Sequence, residues 1–385
     1  MRSTPCRHVD RGRPPAGRRL RRVAACAAGA LAVAGLGAGG AEAATKTVVA
    51  GPPVEQRPAG FPADADTNQF YPRVVTVHAG DRVRWDMRGF HTVMFPAAGG
   101  RPEELLAQDP ANPVAGAVDP SGSPFWFNGR PAVTFNPFAF IPAGGASYTG
   151  TQPAASGAPG GPGGFKPYTL SFPKPGTYRY FCTIHAGNAP MSGVVRVVPR
   201  GRPIPSARRD RATVSKEFAR TVARLGKDDR HQGPAGDAVD LGHDTAGTSL
   251  LRFFPAVKTV RAGATVTFAM AARTNEIHTV TFGPPEYVGA LAFRPLDPGT
   301  APGAAPAAPT LLSPIASYPS DPPDAGHATH TGAQHGNGFL NTGLLDREPT
   351  SAPPASARVT FTSPGTYGYL CLVHPAMKGQ IVVTP

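Results

Sequence analysis

A cysteine, a histidine three residues later and a methionine soon after that occur together twice in the 385-residue chain. The first copy reads Phe172-Pro-Lys-Pro-Gly-Thr-Tyr-Arg-Tyr-Phe-Cys182-Thr-Ile-His185 and continues to Met191-Ser-Gly193. The second reads Phe361-Thr-Ser-Pro-Gly-Thr-Tyr-Gly-Tyr-Leu-Cys371-Leu-Val-His374 and continues to Met377-Lys-Gly379. A thiolate, an imidazole and a thioether brought to one loop form a soft donor set. Such a set suits copper, with the methionine as a weak axial ligand. A second imidazole is missing from the motif and must come from elsewhere in the chain.

The elements that would position these donors are strands. In each copy a Pro-Gly turn leads into alternating aromatics, and the cysteine ends the run. Upstream, Val77-His-Ala-Gly80-Asp-Arg-Val83-Arg-Trp85 alternates strictly after an Ala-Gly turn, and Val260-Arg-Ala-Gly263-Ala-Thr-Val266-Thr-Phe268 repeats it. A few residues further on stand Phe90-His91-Thr-Val93 and Ile277-His278-Thr-Val280, which supply the missing histidine. It precedes the cysteine by 91 residues in the first half and by 93 in the second. Two such matching intervals mark an internal duplication.

Between histidine and cysteine each half carries a long Pro/Gly/Ala-rich insertion, roughly 97–167 and 284–357. Phe125-Trp126-Phe127 in the first predicts that part of it folds back over the sandwich, while Gly150–Gly164 reads as flexible. Residues 201–245 read as a linker. Within it Val214, Phe218, Val222 and Leu225 share one face of a short amphipathic helix over Thr213–Leu225. Each half ends in a β-branched strand, Val194–Val198 and Ile381–Val383. Short strands with Pro/Gly turns and little helix predict an all-β fold, with a β-sandwich in each half. The expected organisation is an export signal at 1–43, a first domain at 44–200, the linker, and a second domain at 246–385.

The N-terminus reads as a targeting segment: an arginine-rich stretch, an apolar run from Val23 to Ala38, and the small-x-small site Ala41-Glu42-Ala43. The apolar run is too short to be a stable membrane span. Arg18-Arg19 and Arg21-Arg22 permit a twin-arginine export reading. Val23-Ala24-Ala25-Cys26 precedes the apolar run instead of following it, which argues against lipidation. Removal of residues 1–43 takes away eight arginines and two acids, so the net charge of +13 becomes +7. No Lys/Arg run is interleaved with aromatics elsewhere, which argues against nucleic-acid binding. The mature chain, expected outside the cytoplasm, keeps only Cys182 and Cys371. Equivalent positions in two repeats lie too far apart for a disulfide, so each reads as a metal-bound thiolate.

Together, the upstream histidine, the Cys-x-x-His and the Met-x-Gly of each half resemble the cupredoxins, the plastocyanin, amicyanin and azurin family. The resemblance covers roughly 46–200 and 246–385 and leaves out the signal, the linker helix and the insertions. It implies two tandem Greek-key β-sandwiches, each with one type 1 (blue) copper. The implied ligands are His91, Cys182, His185 and Met191 in the first half. In the second they are His278, Cys371, His374 and Met377. The second loop has the tight amicyanin-like spacing. The first is three residues longer, with Gly187-Asn188-Ala189 between His185 and Met191, which places Met191 less firmly.

A secreted or periplasmic carrier of single electrons, serving redox protein partners, is the function this resemblance implies. Copper storage or delivery to copper-handling proteins is the alternative. A copper oxidase or nitrite-reductase-like enzyme is a further rival, since those families also combine two such domains. Their catalytic coppers use His-x-His pairs and a histidine beside the blue-copper cysteine. Here Phe181 and Leu370 precede the cysteines and no His-x-His occurs, so no catalytic residue is assigned. His327, His330 and His335 in the second insertion read first as solvated loop residues, with binding of copper or zinc as the alternative.

Overall fold

The computed structural model describes residues 43–385, apart from 56, 98–99, 101–103, 159–165, 293–310, 324–325 and 348–352. The segment read as an export signal lies outside them except for Ala43. So does part of the Gly150–Gly164 stretch. Among the described residues no helix is long and apolar enough to cross a membrane.

The fold is all-β. The first half forms β1 (Thr45–Ala50), β2 (Ala65–Asp66), β3 (Phe70–Tyr71), β4 (Val74–His78), β5 (Arg82–Met87) and β6 (Met94–Phe95). A hairpin of β7 (Leu106–Pro113) and β8 (Pro131–Phe135) follows, then β9 (Ala154–Ala155), β10 (Tyr168–Ser171), β11 (Gly176–Phe181) and β12 (Ser192–Val198). The second half forms β13 (Ala238–Thr245), β14 (Thr248–Phe254), β15 (Val257–Arg261), β16 (Thr265–Met270) and β17 (Thr281–Phe282). It ends with β18 (Ala328–His330), β19 (Leu340–Asn341), β20 (Ser356–Phe361), β21 (Gly365–Leu370) and β22 (Lys378–Thr384).

Sheet order repeats between the halves. One sheet runs β10-β5-β1-β3 in the first half; in the second it runs β18-β20-β16-β13-β14-β2, with β20-β16-β13-β14 in the matching places. The facing sheet runs β4-β12-β11-β6-β9 and β15-β22-β21-β17-β19. Period-2 alternation sends Val83, Trp85 and Met87 of β5 inward, as it does Val266, Phe268 and Met270 of β16. Each core is closed from the opposite sheet, by Tyr180, Val195 and Val197 in one and by Tyr369, Ile381 and Val383 in the other. Trp85 is fully buried and meets Phe95 and Tyr180 edge-on, at 5.5 and 5.3 Å between ring centroids. Phe268 meets Tyr369 in the same way at 5.4 Å. These aromatics are core residues, as their alternation implies.

Tyr180 and Tyr369 also explain the glycine of each Met-x-Gly. A Cβ on Gly193 would lie 2.3 Å from the Tyr180 ring, and one on Gly379 would lie 2.4 Å from the Tyr369 ring. Only glycine leaves room for the phenol against the strand that follows the Cys-x-x-His loop.

The linker differs from its sequence reading at both ends. The helix spans Ala207–Asp228, longer than Thr213–Leu225, because Ser206 caps it by accepting from the Arg209 N–H. Its first turn is basic and exposed and carries no apolar period, so periodicity alone misses it. Phe218 and Leu225 are buried, with Val214 and Val222 packed beside them, against Phe61 and Tyr71 of the first half and Leu250 and Phe254 of the second. Residues 238–245, read as the end of the linker, form β13, which pairs with β16 inside the second sandwich.

The two halves interlock. β2, from the first half, adds to the edge of the second half's sheet through Ser249↔Asp66 and Leu250↔Ala65. Part of the first insertion stays on its own sandwich, as β9 beside β6, and the part with Phe125 and Phe127 folds onto the second half. Phe125 and Phe127 are buried with Val288, Phe339 and Leu372, and Trp126 Nε1 donates to the Pro319 carbonyl at 2.8 Å. Leu105, Leu106 and Val133 pack likewise on Ile277, Leu312 and Leu344.

Candidate metal centres

Each sandwich gathers three donors at one end. In the first, His91 arrives from the turn after β5, Cys182 directly follows β11, and His185 lies on the loop before β12. The ligating atoms of His91, Cys182 and His185 all lie within 4.8 Å of one another, as do those of His278, Cys371 and His374. Nδ1 is the ring atom turned toward the cluster. His91 Nδ1 and His185 Nδ1 are 3.1 Å apart, and Cys182 Sγ is 3.3 Å from His185 Nδ1. In the second cluster the Nδ1 atoms are 3.2 Å apart, and Cys371 Sγ lies 3.7 Å from His278 Nδ1 and 3.8 Å from His374 Nδ1.

Identical local bonds hold both loops. The Cys182 N–H donates to the Met191 carbonyl at 3.0 Å, and the Met191 N–H to the His185 carbonyl at 2.9 Å. Cys371 N–H to Met377 carbonyl and Met377 N–H to His374 carbonyl repeat this at 3.1 and 2.8 Å. Both methionines are buried. The longer first loop therefore gives Met191 the same backbone bonds as Met377.

The three additional residues are used for docking. Asn188 donates its amide to the Ala272 carbonyl and accepts from the Thr274 N–H, each at 3.0 Å. The Ala189 N–H donates to the Thr274 carbonyl at 3.2 Å. Gly187 has φ +33°, and a Cβ there would lie 2.4 Å from the Thr274 oxygen. The first loop thus grips the second sandwich four residues before His278.

Two threonines complete the sites, and their role was not read from the sequence although each follows a candidate histidine. The Thr92 N–H points at Cys182 Sγ at 3.3 Å, and the Thr279 N–H at Cys371 Sγ at 3.4 Å. Their hydroxyls accept from the Thr183 and Leu372 N–H groups, both at 2.8 Å. The repeated His-Thr dipeptide was the available signal.

Burial sets the protonation of every donor. It pushes His91 and His185 down to about 3, with each imidazole's neighbour adding to the effect. It lowers His278 well below the ordinary range and His374 to about 4. The same burial pushes both thiols up. Each site therefore offers two neutral imidazoles and a thiol whose proton burial holds more firmly than usual. Three donors about 2.0–2.3 Å from a common ion would stand about 3.5 Å apart, close to the separations seen. Two neutral imidazoles and a sulfur form a donor set that fits copper.

One carboxylate lies between the two centres. Glu276 places Oε1 3.5 Å from His185 Nε2 and Oε2 3.5 Å from His374 Nε2. It is 5% exposed, and Asn68 of the first half donates to Oε1 at 2.6 Å. Burial, with Asp244 nearby, raises its carboxyl well above the usual range. Neither Glu276 nor Asn68 belongs to either motif. An apolar cleft of about 360 Å³ opens beside His185, His374 and Glu276, walled in part by Phe90, Phe135 and Ile184.

His327, His330 and His335 are not brought together. His330 is buried, stacked on Phe361 and against Tyr367, and burial lowers it to about 4. His335 instead joins Asp119 at 3.1 Å and Asp321 at 3.2 Å. His327 is exposed. Among the described residues the metal-capable clusters are the two His–Cys–His sets.

No protein-family model and no curated relative matches the chain. Among solved structures it is similar to a copper(I) form of an amicyanin mutant, at 18% identity and a TM-score of 0.21, covering 40% of this chain and 85% of that one. A reduced form of another amicyanin mutant matches at 20% identity and a TM-score of 0.20, covering 38% and 80%.

Proposed function

We propose that the chain is an exported copper protein that carries single electrons, with one type 1 site in each sandwich. The observation that carries this reading is the pair of buried His–Cys–His clusters, each with a methionine loop tied back to its second histidine. His91, Cys182, His185 and Met191 would hold one ion; His278, Cys371, His374 and Met377 would hold the other. When bound, copper supplies a one-electron couple at each site.

The protein's own contribution is to keep these donors still. His91 and His278 are fully buried and come from a different part of the sandwich than the Cys-x-x-His loop. The backbone amides of Thr92 and Thr279 face the sulfurs, and the sandwich cores exclude water from behind. Rigid donors on strand ends limit rearrangement when charge changes. The reading is of a carrier and not an enzyme: no His-x-His pair or histidine beside either cysteine provides a catalytic metal cluster. Redox proteins outside the cytoplasm are the proposed partners.

Reversible voltammetry, combined with competition by a copper(I) chelator, tests this reading against storage or delivery. A carrier gives a reversible one-electron wave and yields copper slowly. Rapid, complete loss of copper(I) without a reversible wave would replace electron transfer with delivery.

A further inference from the structure

The two centres share a group that neither needs merely to fold. His185 and His374 both turn Nδ1 toward their own cluster, which leaves Nε2 on the opposite edge of each ring. Those two edges face different oxygens of the same Glu276 carboxylate, each at 3.5 Å. A carboxylate on the far nitrogen of a ligating imidazole fixes the ring's tautomer and orientation and raises its basicity. Such a partner normally serves one metal; here one side chain faces the ligands of two. Asn68, 1% exposed, holds it on the His185 side and also donates to Ser249 Oγ and Asn275 Oδ1. The docked loop containing Asn188 fixes Thr274, whose hydroxyl in turn accepts from the Glu276 N–H at 3.0 Å.

We infer that Glu276 is a positioning residue shared by both centres, and that it couples them: a metal ion held at one site raises the metal affinity of the other. This rests on the copper reading of the two clusters. The sign follows from the shared side chain. Whichever site fills first fixes the tautomer and orientation of its histidine, and through it the orientation of the Glu276 side chain that both histidines face. The second ion then meets a partner that is already ordered, and less conformational entropy remains to be lost. The effect is reciprocal by thermodynamic necessity.

The experiment is anaerobic copper(I) titration of the mature chain against a chelator. It is run on the wild type, on Cys182→Ser and Cys371→Ser, and on each of these combined with Glu276→Gln. Coupling predicts that either remaining site binds about five-fold or more weakly when its neighbour is disabled. With Glu276→Gln in place, disabling the neighbour no longer matters. Glu276→Asp is the second variant: it keeps the carboxyl group, but its shorter arm cannot face both imidazoles, so it also abolishes the dependence. A purely structural role would weaken both sites while leaving their mutual dependence intact, and that result overturns the inference. So does a wild type that holds two thiolate-bound ions of unlinked affinity, which leaves the copper reading standing. A wild type that binds no copper at either cysteine overturns both.

Discussion

Asn188 and Thr274 join the first metal loop to the second sandwich: the Thr274 N–H donates to Asn188 Oδ1 at 3.0 Å. The loop that differs in length between the two halves is the one that spans them. Asn188→Ala removes this bond and the one to the Ala272 carbonyl. The side chain is exposed, so the expected loss is about 1 kcal/mol, read as a lower denaturation midpoint with metal stoichiometry unchanged. Gly187→Ala should cost more, because its φ is +33° and its new Cβ would run into Thr274. Equal stability of the two variants would contradict this docking.

Gly379→Ala places a Cβ against the Tyr369 ring, two residues after Met377. The ring or the strand must shift, for a loss of about 1–3 kcal/mol. Gly201→Ala, with open space around the new Cβ, is the matched control and should lie within about 0.5 kcal/mol of wild type. Thermal melts of the two variants decide the point.

Phe127 is fully buried between stacked partners, with Phe125 at 4.8 Å and Tyr318 at 5.2 Å. Truncation to alanine should cost about 3–5 kcal/mol. Urea unfolding reads this directly. A neutral result would mean that the first insertion does not pack on the second half.

His335 makes the same contact dependent on pH. Asp321 chiefly, and then Asp119, raise its folded value above the ordinary one against the opposing effect of burial. A raised histidine stabilises fully below its unfolded value of about 6.5, and that stabilisation is lost as pH rises through the folded value. His335→Ala should therefore lower the melting temperature at pH 5.5 and have a much smaller effect at pH 9. An equal drop at both would assign His335 a packing role only.

What could be read from the chain and what could not divide along physical lines. Strand alternation and Pro-Gly turns are local, so the all-β class is legible in Val83-Arg-Trp85 and its repeat. Cys-x-x-His is also local, and covalent spacing alone brings those two donors to one loop. The structure then draws His91 and His278 to them from about ninety residues upstream. Glu276 and Asn68 were not legible. They meet across 208 residues, and a lone glutamate before Ile277 carries no periodic or motif signal. For the histidines of the second insertion, metal binding is the lesser reading, and proximity in sequence did not become proximity in space. His330 faces a core of rings, while His335 faces two aspartates.

The central claim is that Cys182 and Cys371 each hold a copper ion. The most direct measurement is copper content with visible absorption and EPR on the mature protein, repeated for Cys182→Ser and Cys371→Ser. The account predicts two coppers per chain, an intense thiolate-to-copper band, and the loss of one blue centre in each variant. A colourless protein that keeps its copper in both variants would contradict it.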